Sequence, residues 1–168
     1  LAPRLPRFMA RHPGVNIRII SSVWGDEFEK EQFDFDIRYG AGNWPGLNAE
    51  RLTWETITPV CSPALLEGEN PIRKPEDLAN HPLLHVLGYE EGWGLWLNAA
   101  GVGGDIDRGL GLHFDTSLIA FEVAAKGAGV ALGRSSMTEE DLASGRLIAP
   151  FDLVVPVDEA FHLIANYD

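Results

Sequence analysis

Hydrophobic positions near the start of the chain recur every three or four residues and then begin to alternate with polar ones. The first pattern covers residues 1–11 and predicts a helix, which should end at Pro13 because proline cannot donate a backbone hydrogen bond. The second pattern covers residues 15–19 and 33–39 and predicts two half-buried strands. The acidic stretch between these strands is long enough for a short helix, so the pattern favours a βαβ unit with parallel strands.

Turn-forming residues divide the middle of the chain. Residues 40–46 contain three glycines and one proline, which predicts a loop at the carboxyl end of the second strand, where open α/β sheets bind ligands. Residues 47–61 are rich in β-branched and aromatic side chains and predict one long strand or two short ones. Prolines and acidic residues from Ser62 to Pro75 then favour a hinge or a lobe boundary.

The second half of the chain alternates between strand and helix patterns. We predict strands at residues 83–87, 110–114, 130–132, 146–151 and 161–165. Helices are expected from Pro75, over residues 93–100, from the cap at residues 115–117 to Lys126, and from Thr138 to Gly145. This alternation predicts an α/β protein.

Charge and cysteine content restrict the possible partners and the compartment. The 168 residues include 13 Lys plus Arg and 25 Asp plus Glu, for a net charge of −12, which argues against binding phosphate backbones or anionic lipid. There is no apolar run of membrane-spanning length and no signal-like segment at the start, so we expect no membrane partner. The single cysteine, Cys61, cannot form an internal disulfide, and we expect a cytoplasmic protein.

Residue types that often carry catalysis or metal binding do not form a convincing arrangement. Cys61 ends a predicted strand without a neighbouring base and is expected to be a small core residue. His81 and His85 have a spacing of four, but Pro82 breaks any helix that would align them as metal ligands. The glycines at residues 127–133 follow a helix and precede a strand, the reverse of a dinucleotide-binding loop. We therefore expect no catalytic residues, no metal site and no cofactor.

Two groups of residues are candidates for ligand binding. Thr116 and Ser117 stand at a predicted helix start, where hydroxyls and backbone donors serve either to cap the helix or to bind a small anion. Tyr39, Gly40 and Trp44 lie in or beside the glycine-rich loop, where they form either the rim of a site or ordinary aromatic packing in a turn.

Several stretches of the sequence resemble one known family. The strings LPRFMARHPGVNIRI, FDFDIRYGAGNWPGLNAERL, FDTSLIAFEVAAKGAGVALG and DLASGRLIAPF are similar to the effector-binding domain of LysR-type transcriptional regulators. The branch it resembles contains the glycine-cleavage activator and the β-lactamase regulator. The similarity covers nearly the whole chain in the family's order, and the I-R-Y-G stretch from Ile37 is its most specific part.

The resemblance implies a two-lobed, type 2 periplasmic-binding-protein-like α/β fold with two crossover strands. Lobe I would comprise residues 1–61 plus 161–168, and lobe II would comprise residues 62–160. The domain would be terminally truncated, without the family's first strand and its hydroxyl-bearing loop and without its last helix. The DNA-binding winged helix-turn-helix would be absent from this chain.

The resemblance also implies an effector site and an assembly. The matching effector positions are Ser21, Ser22, Tyr39, Gly40, Thr116, Ser117 and Phe161, and Trp44 would allow a stacked or apolar portion of the ligand. The β-lactamase-regulator branch has a tyrosine at the position of Phe161. We expect an effector-sensing, non-enzymatic domain that binds a small metabolite, with an anion favoured by the hydroxyls and the helix start. It should form a homodimer or homotetramer and contact DNA only through the absent domain. The alternatives are a periplasmic solute-binding protein of the same fold and an enzyme on a two-lobed scaffold.

Overall fold

The computed structural model describes residues 1–21, 33–89, 92–104, 106 and 111–165. The chain divides into two compact units, residues 1–31 and residues 32–168. No helix in the described ranges has the length and apolar character that crossing a bilayer requires.

The first unit contains helix α1 (Leu5–Arg11), which follows a 3-10 turn at Ala2–Arg4. The predicted helix is confirmed, and it ends where the His12 N–H donates to the Phe8 carbonyl at 3.0 Å, just before Pro13. No residue of α1 is buried.

The strand predicted at residues 15–19 is wrong. These residues have no regular secondary structure, and Val15, Ile17 and Ile19 are all exposed. Alternation of apolar and polar residues marks which side chains could share a face, but a strand also needs a neighbour with which to form a ladder. None of the described residues supplies that neighbour. The helix predicted in the acidic stretch falls mainly on residues 22–32, outside the described residues.

The second unit begins with a three-stranded antiparallel sheet in the order β1-β8-β2. Its strands are β1 (Asp36–Gly40), β2 (Asn48–Arg51) and β8 (Ala160–Ala165). The register places Tyr39 opposite Phe161. The parallel βαβ pairing predicted for β1 is wrong among the described residues, because residues 15–19, its predicted partner, form no strand.

The second unit also contains a five-stranded sheet in the order β5-β4-β6-β3-β7. Its strands are β3 (Thr56–Val60), β4 (Leu83–Val86), β5 (Gly111–Phe114), β6 (Val130–Arg134) and β7 (Val155–Pro156). Strand β4 runs parallel to β5 and β6, whereas β3 runs antiparallel to β6 and β7. Of the two alternatives predicted for residues 47–61, one long strand or two short ones, the structure has the second, with β2 and β3 as separate strands.

Helices cover both faces of the five-stranded sheet. On one face, α2 (Trp93–Ala99) buries Trp93, Trp96 and Leu97 in a cluster with strand residues such as Leu83. On the other face, α3 (Ser117–Ala125) packs Phe121 and its neighbours against residues such as Leu84. Successive residues of a strand point to opposite faces of the sheet. When helices cover both faces, all residues of a central strand are therefore buried, as every residue of β6 is. The α/β architecture is confirmed.

The strand predicted at residues 146–151 is wrong, because pairing there stops after one bridge. The Cys61 N–H donates to the Ile148 carbonyl at 3.0 Å, and the Ile148 N–H donates to the Cys61 carbonyl at 2.9 Å. If the pairing continued in this register, the next hydrogen-bonded pair in one direction along the strands would be Pro59 with Pro150. The next pair in the other direction would include Pro63. Proline cannot donate to the ladder, so it does not extend.

Helix α4 (Ser135–Ser144) begins three residues before the predicted start at Thr138, so the predicted start is wrong. Thr138 is buried inside the helix, and its hydroxyl donates to the Arg134 carbonyl at 3.0 Å. The predicted end is confirmed, since Gly145 adopts the left-handed conformation with φ of 73°.

Two connecting segments, residues 52–55 and 157–159, join the two sheets. Backbone hydrogen bonds hold the two segments side by side. The Leu52 N–H donates to the carbonyl of Phe161, just after the second segment, at 2.8 Å, and the Val157 N–H donates to the Glu55 carbonyl at 3.1 Å. The division into lobes at Ser62 and residue 160 stays a prediction.

Candidate functional site

Four aromatic or basic side chains and one hydroxyl meet where strands of both sheets end. Arg134 is the last residue of β6, and its guanidinium carbon lies 3.6 Å from the ring centre of Tyr89 and 5.0 Å from that of Tyr39. Phe161 and Ser117 complete the group through contacts with the two tyrosines. We call these five residues the Arg134 cluster.

The charge of Arg134 is balanced inside the protein. Its Nη2 donates to Oε2 of Glu159 at 3.1 Å, and the two side chains are only 2% and 6% exposed. A buried charge requires a partner, and the tyrosine rings add cation–π attraction to the guanidinium. Arg134 is therefore a fixed positive group whose field Glu159 largely neutralises.

Tyr39 contributes a hydroxyl to the cluster that has no hydrogen-bond partner among the described residues. Its ring meets those of Tyr89 and Phe161 edge-on, with centres 4.9 Å apart in each case. Burial raises the pKa of this hydroxyl above its usual range, against the opposing effect of Arg134. Tyr39 therefore stays neutral at ordinary pH and can donate to a ligand.

Thr116 and Ser117 have different roles, although they are adjacent. The half-buried Thr116 caps α3, since its Oγ1 accepts the Leu118 N–H at 3.4 Å. Ser117 is only 4% exposed, and its hydroxyl is hydrogen-bonded to the Tyr89 hydroxyl at 2.6 Å. Capping thus accounts for Thr116, and Ser117 belongs to the cluster.

Gly40 and Trp44 form a corner beside β1. The Trp44 ring lies over Gly40, where an added Cβ would come within 3.2 Å of it, and the same ring meets His162 edge-on at 5.4 Å. Gly42 in the same loop has φ of +86°, and a side chain there would collide with His162. The packing alternative describes Trp44 in this structure.

Of the remaining predicted residues, Ser21 is an exposed residue of the first unit. Ser22 lies outside the described residues. The second unit thus brings together Tyr39, Ser117 and Phe161, whereas Thr116, Gly40 and Trp44 have the separate contacts described above.

Three residues at the site, Tyr89, Arg134 and Glu159, were not predicted from the sequence. Tyr89 follows β4 and Arg134 ends β6, so both stand at carboxyl ends of parallel strands. Ligands bind at such ends in open α/β sheets, and applying that rule to every strand would have found both residues.

The core assignment of Cys61 is confirmed, because its side chain is fully buried. Burial raises the pKa of this thiol to about 11, which disfavours the reactive thiolate. Among the described residues, no three His, Cys, Asp or Glu side chains gather in a group that could hold a metal ion.

Comparison with known sequences decides the family. The sequence model of the LysR substrate binding domain matches residues 1–168. The chain is a LysR substrate-binding domain. The resemblance found from the sequence strings is thereby confirmed.

Curated relatives of this LysR domain are transcriptional activators. It is 38% identical over 166 residues to the glycine cleavage system transcriptional activator of Escherichia coli K12, a match that covers 99% of this chain and 54% of that protein. It is 36% identical over 151 residues to the transcriptional activator AmpR of Pseudomonas aeruginosa, covering 90% of this chain and 50% of that protein. The LysR domain therefore spans about half the length of the curated relatives it matches.

Solved structures agree with this assignment. The effector domain of AmpR from Pseudomonas aeruginosa superposes with a TM-score of 0.80 at 32% identity, covering 98% of this chain and 77% of that one. The AmpR effector-binding domain from Citrobacter freundii also gives 0.80, at 28% identity, covering 98% and 80%. These neighbours favour a regulator's effector-binding domain over a solute-binding protein for transport.

Proposed function

We propose that this LysR domain binds a small-molecule effector at the Arg134 cluster and transmits binding to a DNA-binding domain elsewhere in the full-length regulator. The observation that carries the proposal is the convergence of the Tyr39 and Ser117 hydroxyls beside a buried guanidinium. These groups come from distant parts of the chain and from elements of both sheets. Specific recognition of a small ligand needs a few polar groups fixed in this way on an apolar background.

The chemistry of the cluster favours a small polar effector that carries a carboxylate. The Tyr39 hydroxyl is a donor with no protein partner among the described residues, and Ser117 stands at the amino end of α3, where the helix dipole favours negative charge. Glu159 already neutralises Arg134, so a single negative charge suits the cluster better than several.

Transmission would use the two connecting segments as a hinge. With a hinge at residues 52–55, β3 would move with the second lobe, and the two sheets would close on each other when an effector bridges Tyr39 and Ser117. A ligand can only shift such an equilibrium by binding one arrangement more tightly than the other. The hydrogen bonds that hold the two connecting segments side by side support this proposal, because both segments can then bend at the same level between the two sheets.

Assembly is part of the proposed function. We expect a homodimer in which α1 of one protomer packs on the second lobe of its partner, and a dimer or tetramer in the full-length regulator. Helix α1 buries no residue, and Arg7 and Arg11 within it and Arg4 just before it give this segment a positive charge in a protein whose net charge is −12. Leu118 and Ile119 on α3 are 67% and 50% exposed and offer an apolar surface to the partner. DNA contact through another domain, with no membrane partner, would place the regulator in the cytoplasm.

A thermal-shift screen of small carboxylic and amino acids, followed by calorimetric titration of the compound that binds, tests the proposal. Ser117→Ala and Tyr39→Phe should each weaken binding about tenfold to a hundredfold, since a hydrogen bond to a charged group contributes roughly 1.5–3 kcal/mol. Thr116→Val is the matched control: it should lower stability by about 1 kcal/mol through the lost cap and leave affinity unchanged. Unchanged affinity in both Ser117→Ala and Tyr39→Phe would refute the site.

A further inference from the structure

Tyr89 fills the place where the Arg134 cluster would receive a ligand. Its hydroxyl is hydrogen-bonded to the Ser117 hydroxyl at 2.6 Å, and its ring covers the Arg134 guanidinium at 3.6 Å. The same hydroxyl approaches the Met137 sulfur at 3.7 Å, and the ring meets Tyr39 edge-on at 4.9 Å. One side chain thus engages a hydroxyl, a cation and an aromatic wall at once.

The position of Tyr89 in the chain allows it to move without disrupting a strand or a helix. It stands in the connection between β4, which ends at Val86, and α2, which begins at Trp93. Gly88 immediately before it has φ of +87°, a conformation that glycine adopts readily, and an added Cβ at Gly88 would meet no atom within 4 Å. Displacing Tyr89 would therefore break side-chain contacts while the backbone ladder of β4 remains intact.

We propose that Tyr89 is an internal occupant of the effector site, which covers Ser117 and Arg134 until an effector displaces it. This inference rests on the proposed function and specifies how the site is regulated. The effector must take over both contacts of Tyr89: the hydroxyl oxygen that bonds to Ser117 and the electron-rich ring that lies on the Arg134 guanidinium. A carboxylate can do both, because its oxygens accept hydrogen bonds and its negative charge attracts the guanidinium.

Competition between Tyr89 and the effector has a quantitative consequence. The apparent affinity is the intrinsic affinity multiplied by the fraction of molecules in which Tyr89 has moved away. Tyr89→Phe removes the bond to Ser117 but keeps the ring, so it should increase that fraction only partly. Tyr89→Ala removes both contacts and should increase it further.

Chemical labelling of position 117 tests whether Tyr89 covers Ser117, and it does not require the effector. Ser117→Cys introduces a thiol at the covered position, and the only other thiol, Cys61, is fully buried and serves as an internal control. Iodoacetamide is the probe, and mass spectrometry of the digested protein follows each cysteine separately. The variants compared are Ser117→Cys alone and Ser117→Cys combined with Tyr89→Phe, Tyr89→Ala or Phe151→Leu.

Phe151→Leu is the matched control because Phe151 is a partly buried aromatic residue outside the Arg134 cluster, where its ring stacks on that of Trp96 with centres 5.4 Å apart. With Tyr89→Ala, alkylation at position 117 should become roughly tenfold faster or more, with a smaller increase for Tyr89→Phe, as expected when successive contacts holding a closed state are removed. Phe151→Leu should leave the rate within about twofold, and Cys61 should stay protected throughout.

Equal rates at position 117 with and without Tyr89 would overturn the inference, because another group would then cover Ser117. Parallel acceleration at Cys61 would also overturn it, because Tyr89 would then be holding the fold together. Failure of the effector titrations beside a positive labelling result would count against the proposed function alone, since labelling involves no effector.

Discussion

The Glu55 carboxylate caps the start of helix α4 by accepting a hydrogen bond from Ser136, which lies 81 positions later in the chain. Its Oε2 accepts the Ser136 N–H at 3.1 Å and the Ser135 hydroxyl at 3.0 Å. The residue at the N-cap position, Arg134, makes no side-chain cap bond of its own. Glu55 belongs to a connecting segment, so this contact ties the connection between the sheets to α4.

Replacing Glu55 with glutamine should lower the free energy of unfolding by about 1–2 kcal/mol at neutral pH, because a charged acceptor at a helix start is lost. Urea unfolding followed by circular dichroism measures this difference. Glu50→Gln, at an exposed position in β2, is the matched control and should change stability little. Equal destabilisation by both substitutions would contradict the capping role.

The effect of Glu55 should also depend on pH. Burial by itself would raise the pKa of this carboxyl, but hydrogen bonds from Ser136, Thr53 and Ser135 outweigh it and lower the pKa. A carboxyl with a lowered pKa in the folded state stabilises fully above its unfolded pKa, and loses that contribution as the pH falls through the folded value. The difference between the parent and Glu55→Gln should therefore shrink from pH 7 towards about pH 3. A constant difference would show that the charge is irrelevant.

The Arg134–Glu159 pair should be costly to break from one side. Arg134→Met leaves Glu159 buried without this partner and should destabilise the protein by about 3–5 kcal/mol. The double variant Arg134→Met with Glu159→Leu removes both charges and should be more stable than Arg134→Met alone. A double-mutant cycle in urea measures the coupling, and additive effects would mean that the two side chains are independent.

Cys61 should be inert in the folded protein. Its thiol is fully buried and burial raises its pKa to about 11, so at about pH 8 it should react with a thiol reagent orders of magnitude more slowly than free cysteine. Cys61→Ala and Cys61→Ser should keep the fold, as judged by circular dichroism. Modification of the native protein at the rate of free cysteine would contradict this assignment.

The proposed dimer depends on the apolar surface of α3. Light scattering at micromolar concentration and moderate salt should show a dimer for the parent chain. Leu118→Glu places a charge on an exposed position of α3 and should shift the protein towards monomer while its melting temperature changes little. Glu122→Gln, which alters an exposed residue of the same helix, is the control. A parent chain that is monomeric across this range would rule out the proposed interface.

Elements that depend on local signals could be predicted from the sequence. The proline after α1, the Thr116 cap of α3 and Gly145 after α4 each act through their own backbone geometry, and all three boundaries were predicted correctly. The start of α4 was not, because its cap is Glu55 from a distant segment. Residues 15–19 were misread because alternation does not reveal whether a partner strand is present.

Some residues of the candidate site could be predicted from the sequence and others could not. Tyr39 and Ser117 lie in sequence strings typical of the family, Phe161 was predicted as a matching effector position, and the second unit does bring the three together. Tyr89 and Arg134 each lie just after a predicted strand and could have been named singly, but their proximity depends on β4 lying beside β6 in the sheet. Strand order is a long-range property, which the local pattern of hydrophobic residues does not encode.

The place of β8 between β1 and β2 bears on how the protein is synthesised. Every ladder of the three-stranded sheet includes β8, so this sheet cannot assemble until residue 165 has left the ribosome. The five-stranded sheet is complete once β7 has emerged, at residue 156. During translation β1 and β2 must therefore wait, with their edges unpaired, for the arrival of a strand encoded more than 100 residues after β1, and this interval is when a nascent chain is most exposed to aggregation and to chaperones.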